Sequence, residues 1–153
     1  MIFNDDFREF ILALNASQVE FILIGGYSVM LYGYPRTTGD LDIWLNRTPE
    51  NYKKLIRAFS EFGLPTNAIS IEDFLHNESM DVYSFGRSPV AIDLLVKVKG
   101  LDFDLALANS VIMQPDGFPV RVVSYHDLIK LKKAAGRNKD FDDLAHIKNP
   151  NES

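Results

Sequence analysis

The residues best suited to chemistry are two aspartates that stand two positions apart, Asp40 and Asp42. Leu41, Ile43 and Leu45 occupy the alternating positions beside them, as in a strand with one buried face. Because alternate residues of a strand share a face, both carboxylates should point the same way. Two neighbouring carboxylates repel each other unless a cation lies between them, and hard oxygen ligands suit Mg²⁺. The spacing therefore predicts a site for Mg²⁺, with Mn²⁺ as its substitute.

A glycine pair, Gly25 and Gly26, precedes these aspartates and directly follows the apolar run 21–24. The run suits a buried strand, although so short a run does not by itself exclude a helix. Glycine allows a sharp exit from a strand and a close approach of backbone to another group. We expect a short helix over 27–32, whose free N–H groups and positive dipole end favour a phosphate.

A third carboxylate, Asp93, stands in the middle of the apolar run 90–96. Burying an unpaired carboxylate there would cost on the order of several kcal/mol, so Asp93 needs a partner. A metal shared with Asp40 and Asp42 is one such partner, and an internal Lys or Arg is the alternative. Asp93 is therefore the third candidate metal ligand.

The remaining patterns predict alternating helices and strands. The expected elements are a first helix capped by Asn4 or Asp5, a strand over 20–24, a helix from Thr48 to Gly63, a short helix over 71–75, a strand over 81–85, a turn over 86–89, a helix over 101–109, a hairpin over 111–123, a helix from Ser124 to Gly136, and a last short helix capped by Asn138 or Asp140.

Composition places the chain among ordinary soluble globular proteins, with 46% hydrophobic and 24% charged residues. Its 153 residues suit one domain over 1–153, with a frayed polar tail over 148–153. The absence of cysteine excludes disulfides and thiolate metal sites and agrees with a cytoplasmic location. No signal peptide or membrane-spanning apolar stretch is expected. The net charge of −5 argues against strong non-specific binding to nucleic acid.

Basic residues nevertheless gather over 130–139 and give a local patch that could hold a triphosphate or an RNA end. The alternative is a solvated helix face with the pairs Arg137–Asp140 and Lys139–Asp143 at helical spacing. Under the first interpretation Lys132→Ala should weaken nucleotide binding and leave folding nearly unchanged.

The stretch GGYSVMLYGYPRTTGDLDI resembles the signature of DNA polymerase beta-type nucleotidyltransferases, and it is similar to their abortive-infection toxin and antitoxin branch. Arg36, Thr38, Asp40 and Asp42 match that branch's Arg-x-Thr-x-Asp-x-Asp string. The string DLIKLKKAAGRNKDFDDL resembles its C-terminal Lys…Arg-x-x-Asp-x-x-Asp motif. The resemblance implies an α/β fold with a mixed sheet and helices packed mainly on one side. Tyr27 departs from the smaller residue that many relatives carry after the glycines.

The resemblance also implies a role for each matching residue. Three carboxylates would be catalytic metal ligands: Asp40, Asp42 and Asp93. The residues that would bind the nucleotide are Gly25, Gly26, Ser28, Arg36, Thr38, Lys132 and Arg137. The supporting residues would be Lys133, which could replace Lys132 at the triphosphate, and Asp140 and Asp143, which would orient the cations.

The function implied is Mg²⁺-dependent transfer of a nucleoside monophosphate from an NTP to a hydroxyl, with release of pyrophosphate. The acceptor would be a tRNA 3′ end or a partner protein, as in toxin–antitoxin systems. One alternative is a small-molecule enzyme of the aminoglycoside or lincosamide resistance kind. Another is a non-catalytic antitoxin module that binds a partner protein. The sequence favours neither a particular NTP nor an oligomeric state.

Overall fold

A computed structural model describes residues 1–35 and 39–150 of the chain. The described residues form seven helices and six strands. The helices are α1 (Asp5–Ala16), α2 (Gly25–Leu31), α3 (Pro49–Phe62), α4 (Ile71–His76), α5 (Phe103–Asn109), α6 (Tyr125–Ala135) and α7 (Asn138–His146). The strands are β1 (Phe21–Ile24), β2 (Leu41–Leu45), β3 (Val82–Phe85), β4 (Ile92–Leu95), β5 (Val111–Met113) and β6 (Val120–Val122).

The helix boundaries follow from local hydrogen bonds at the caps. Asn4 Oδ1 accepts from Phe7 N at 2.8 Å, which resolves the choice between Asn4 and Asp5 for the start of α1. Thr48 and the left-handed Gly63, with φ 105°, bound α3 as expected.

Two predicted boundaries are wrong by a few residues. α2 begins at Gly25 rather than at residue 27, so the glycine pair forms the first turn of the helix itself. The residue that precedes α7 is Arg137, not Asn138 or Asp140. Asp140 instead stands in the first turn and accepts from Arg137 N at 3.1 Å, which satisfies a backbone donor that the helix leaves free.

The strands form one mixed sheet in the order β3-β4-β2-β1-β6-β5. β2 pairs with β4 in parallel and with β1 antiparallel, while the hairpins β3–β4 and β5–β6 supply the two edges. The register places Phe85, Ile92 and Leu41 in one row across three strands. Residues in such a row point to the same face of the sheet.

The two longest helices, α1 and α3, pack together on that face. Phe10 of α1 contacts Phe59 and Phe62 of α3, and Phe59 in turn contacts Phe85 of β3. On the opposite face Trp44 packs edge-on against Phe103 of α5. The aromatic core thus fixes which face of β2 is buried under α1 and α3, and the other face is left for the site.

The predicted residues Arg36 and Thr38 lie outside the described ranges, as do positions 151–153 of the predicted tail. The tail begins with a defined contact, since Lys148 N donates to Tyr32 O at 2.8 Å. Within the described part of the chain, no helix combines the length and apolar character that crossing a membrane requires.

We predict that Asn51→Ala destabilises the protein by about 3 kcal/mol, because the change removes three hydrogen bonds at a fully buried position. Asn51 accepts from Glu20 N at 2.7 Å and donates to Glu20 O and Asn46 O at 3.0 and 2.9 Å, so it joins α3 to the ends of β1 and β2. Urea denaturation measures the loss. The exposed Lys53→Ala, in the same helix, is the control, and equal effects of the two changes would refute this role.

Candidate active site

The sheet register brings the chemistry-bearing residues together. Ser84, Asp93, Asp42 and Ile24 are consecutive partners across β3, β4, β2 and β1. They therefore share one face of the sheet. The parallel pairing of β2 with β4 places Asp42 and Asp93 directly side by side, and Ile24 leads straight into the first turn of α2.

Asp42 and Asp93 interact directly through a hydrogen bond between their carboxyl groups. Burial, the charge and hydrogen bond of Asp93, and the charge of Asp40 together raise the pKa of Asp42 to about 7, while nearby Lys132 opposes them. A carboxyl with that pKa is about half protonated at neutral pH. The pair thus keeps a proton because two adjacent charges are costly in this environment.

Asp93 is held in place by a residue that the sequence did not single out. Ser84 Oγ donates to Asp93 Oδ1 at 2.7 Å from the neighbouring edge strand. Serine in an alternating strand carries no signal of its own. Ser84 acquires this role only through the β3–β4 register. The predicted turn over 86–89 implied that the two strands pair, but it did not specify their register.

Asp40 lies beside the pair but directs its carboxylate elsewhere. Its Oδ1 accepts from Ala91 N at 2.9 Å and its Oδ2 accepts from Ser88 Oγ at 3.0 Å, which ties it to the turn between β3 and β4. Among residues 1–35 and 39–150, no three acidic or histidine side chains are arranged to hold one metal ion. The three-carboxylate metal site therefore stays a prediction, of which the structure assembles two members.

Glycine is required at position 25 by the close approach of Asp42. Gly25 has a φ of 73°, and a Cβ there would collide with Asp42 Oδ2 and lie 2.7 Å from its Cγ. Ser28 is fully buried, and its hydroxyl donates to Gly25 O at 2.6 Å, so it supports the turn and does not line the cleft. Tyr27 turns into the core against Phe3, which explains how a bulky residue is accommodated after the glycines.

A second charged cluster, which we call the cation cluster, consists of Lys132, Arg137, Asp140 and Asp143. Lys132 is 7% exposed, and its Nζ lies 2.9 Å from Asp143 Oδ2 and 3.3 Å from Asp140 Oδ1. Arg137 donates to Asp140 through Nε at 2.7 Å and Nη2 at 3.2 Å. The structure thus joins Lys132 to both acids and Arg137 to Asp140. A fully solvated helix face does not fit, because both aspartates are completely buried.

Ionisation of Asp140 depends on this cluster. Burial by itself would raise the pKa of Asp140, but the hydrogen bonds from Arg137 and Lys132 outweigh it and lower the pKa to about 2. The hydrogen bond to Asp140 also raises the pKa of Arg137. Both groups therefore remain charged over the physiological range.

The two clusters border one cleft of about 580 Å³. Gly25, Gly26, Asp40, Asp42 and Asp93 line one part of it. The cations in the lining are Lys99, Lys132, Arg137 and Lys139, together with Asp140. The apolar part of the lining comprises Ile24, Leu95, Val98, Leu128, Leu131, Ala134 and Ala135. Lys133 is exposed and does not line the cleft.

The sequence profile of one family, described as "Nucleotidyl transferase of unknown function (DUF2204)", matches residues 3–153. The chain belongs to this family. No curated protein has a matching sequence.

Two solved structures show the same fold as this family member. One is a candidate nucleotidyltransferase from Thermotoga maritima, which is 16% identical, with a TM-score of 0.55 over 91% of this chain and 88% of that one. The other is an antigenic nucleotidyltransferase-like protein from Paracoccidioides brasiliensis, which is 15% identical, with a TM-score of 0.53 over 92% of this chain and 72% of that one. The mixed α/β nucleotidyltransferase fold predicted from the sequence is confirmed.

We predict that Asp42→Asn stabilises the metal-free protein, with a gain that grows between about pH 4 and pH 7. Asp42 binds its proton more tightly in the folded chain than at its ordinary pKa of 3.8, so the folded state loses stability as the pH rises through this window. The upper limit is on the order of 4 kcal/mol. Melting temperatures of both proteins in a chelator, at about pH 4 and pH 8, measure the effect. A difference that does not change with pH would refute it.

The burial of Lys132 changes what its substitution should do. We predict that Lys132→Met costs about 3 kcal/mol of stability, because two buried carboxylates lose an ammonium partner. The expectation from the sequence, that folding would stay nearly unchanged, does not fit this geometry. The exposed Lys133→Met is the control. Adding Asp143→Asn to Lys132→Met should recover part of the loss, and a merely additive double variant would contradict the pairing.

Proposed function

We propose that this protein transfers a nucleoside monophosphate from an NTP to a hydroxyl acceptor, with Mg²⁺ or Mn²⁺ as cofactor. The observation that carries the proposal is the parallel register that sets Asp42 beside Asp93. The glycine pair adjoins this pair of carboxylates, and the cation cluster borders the same cleft. Carboxylates for a metal and cations for phosphates are the two needs of nucleotidyl transfer.

The donor set fits a divalent cation. Asp42 and Asp93 form a half-buried pair that keeps a proton when no cation is near, and a divalent ion would take the place of that proton. Asp40 lines the same cleft and would complete the predicted set by leaving its hydrogen bonds to Ser88 and Ala91. When bound, such an ion neutralises phosphate charge and makes the acceptor hydroxyl more acidic.

The residues of the cleft would then have separate roles in the reaction. The acceptor oxygen bonds to the α-phosphorus, the bond from that phosphorus to the bridging oxygen breaks, and pyrophosphate leaves. Asp93, held by Ser84, takes the proton of the acceptor hydroxyl. The absence of a side chain at Gly25 leaves room for the Asp42 carboxylate in the lining of the cleft that would hold the phosphates. The apolar wall of the cleft packs against the nucleobase.

The acceptor that we propose is a tRNA 3′ end or a hydroxyl of a partner protein, as the resemblance to toxin–antitoxin nucleotidyltransferases implies. Labelled NTPs incubated with bulk tRNA, with lysate proteins and with aminoglycosides separate this acceptor class from the small-molecule alternative. Label that appears only on an aminoglycoside would assign the chain to the resistance kind.

We predict that Asp42→Asn and Asp93→Asn each lower the transfer rate by about 10³-fold or more, since each removes a charge needed at the reacting phosphate. The exposed Asp81→Asn should transfer at the wild-type rate. Mg²⁺ with an NTP should raise the melting temperature of the wild type by mass action, and Asp42→Asn should lose that shift.

Two results would contradict the proposal. One is transfer by Asp42→Asn at a rate near that of the wild type. The other is a wild type that neither transfers any common NTP nor gains stability from NTP with Mg²⁺ or Mn²⁺. The second outcome would favour a non-catalytic module that binds a partner protein.

A further inference from the structure

Among the described residues, four cationic side chains line the cleft, but two of them are already neutralised. Lys132 contacts both Asp140 and Asp143, and Arg137 makes two side-chain hydrogen bonds to Asp140. The two positive charges of the cation cluster therefore face the two negative charges of its buried aspartates. The cluster adds little net charge to the cleft.

The other two cations, Lys99 and Lys139, have no carboxylate within salt-bridge distance among the described residues. Lys99 belongs to the connection between β4 and α5, and Lys139 lies in the first turn of α7. Both are exposed, and both line the cleft that contains Asp42 and Asp93. Two separate chain segments thus each contribute to the lining of the same cleft a lysine that has no carboxylate partner among the described residues.

An NTP adds a large negative charge to a cleft that is already acidic. The triphosphate carries about four negative charges at neutral pH, and Asp40, Asp42 and Asp93 add to them. Two divalent ions would balance only about half of this total. Among the described residues that line the cleft, Lys99 and Lys139 can supply further positive charge, because the cation cluster is neutral. Lysine suits the task, because its flexible stem lets a compact charge follow several phosphate oxygens.

We propose that Lys99 and Lys139 bind the β- and γ-phosphates of the NTP and the pyrophosphate that leaves. This assignment rests on the proposed function, and it deepens it by separating two roles among the basic residues. Lys99 and Lys139 contact the polyanion. Lys132 and Arg137 hold α6 and α7 in place through Asp140 and Asp143.

Two substitutions with matched controls test the assignment. Lys99→Gln and Lys139→Gln remove the proposed contacts, and Lys97→Gln and Lys53→Gln remove equal charges from exposed positions outside the cleft lining. The probes are inorganic tripolyphosphate and a non-hydrolysable NTP analogue, with Mg²⁺ at low ionic strength, in isothermal titration calorimetry.

Each cleft variant should bind both probes about tenfold more weakly, and the double variant about a hundredfold more weakly, as expected for charge-assisted contacts to phosphate. The control variants should stay within about twofold of the wild type. All four single variants should keep the wild-type melting temperature, since none of these lysines forms a salt bridge with a described residue.

Unchanged affinity in Lys99→Gln and Lys139→Gln would overturn the assignment. Equal losses of affinity in the two controls would also overturn it, because they would indicate only a long-range effect of net charge. The outcomes are distinct from those that test the proposed function. If the wild type transfers nucleotide and both Lys99→Gln and Lys139→Gln keep the wild-type KM, the proposed function stands and this inference is wrong. If the protein binds tripolyphosphate through both lysines but transfers nothing with any NTP, the anion site stands and the proposed function is wrong.

Discussion

Repulsion between the carboxylates of Asp42 and Asp93 is the constraint around which this site is built. The sheet cannot relieve it by shifting one strand, because a slip of one residue in β2 would turn Leu41 and Ile43 out of the core. Apolar packing under α1 and α3 therefore enforces an electrostatically unfavourable pair. Such a pair persists in a folded protein when the surrounding core is stable enough to hold it.

In the cation cluster, by contrast, neighbouring charges are opposite in sign and stabilise one another. Lys132 and the two aspartates it contacts would each be costly if buried alone, and together they satisfy one another. The result is a fixed charge arrangement between α6 and α7 rather than a loose basic surface. It also places a positive charge close enough to lower the pKa of Asp42, so the two clusters are electrostatically linked. A change in either cluster should therefore alter proton binding at the other.

Much of the fold could be predicted from the sequence, because helix caps and apolar periodicity are local signals. Thr48 and Gly63 bound α3 as their conformational preferences require, and the ordered motifs indicated the nucleotidyltransferase superfamily. The site could be predicted only in outline. That Asp93 would join Asp42 was expected, but the hydrogen bond from Ser84 and the turn of Asp40 towards the β3–β4 connection were not. The contacts of Asp40 depend on how segments about fifty residues apart are aligned, and the hydrogen bond of Ser84 depends on the exact pairing of a hairpin. Neither arrangement carries a local signal in the sequence.

The largest difference between the sequence-based prediction and the structure concerns the basic residues, and its cause is physical. A motif records which residue types recur in order, whereas the ability of a lysine to bind a phosphate depends on whether its charge is already compensated. Lys132 belongs to the C-terminal motif, yet it is buried against two aspartates. Lys99 belongs to no motif, yet it is exposed and lines the same cleft. Desolvation and pairing are properties of the folded arrangement, so two lysines that are equivalent in sequence can differ in function. Among the described residues that line this cleft, the cations that pair with buried aspartates and those without a carboxylate partner are therefore different residues.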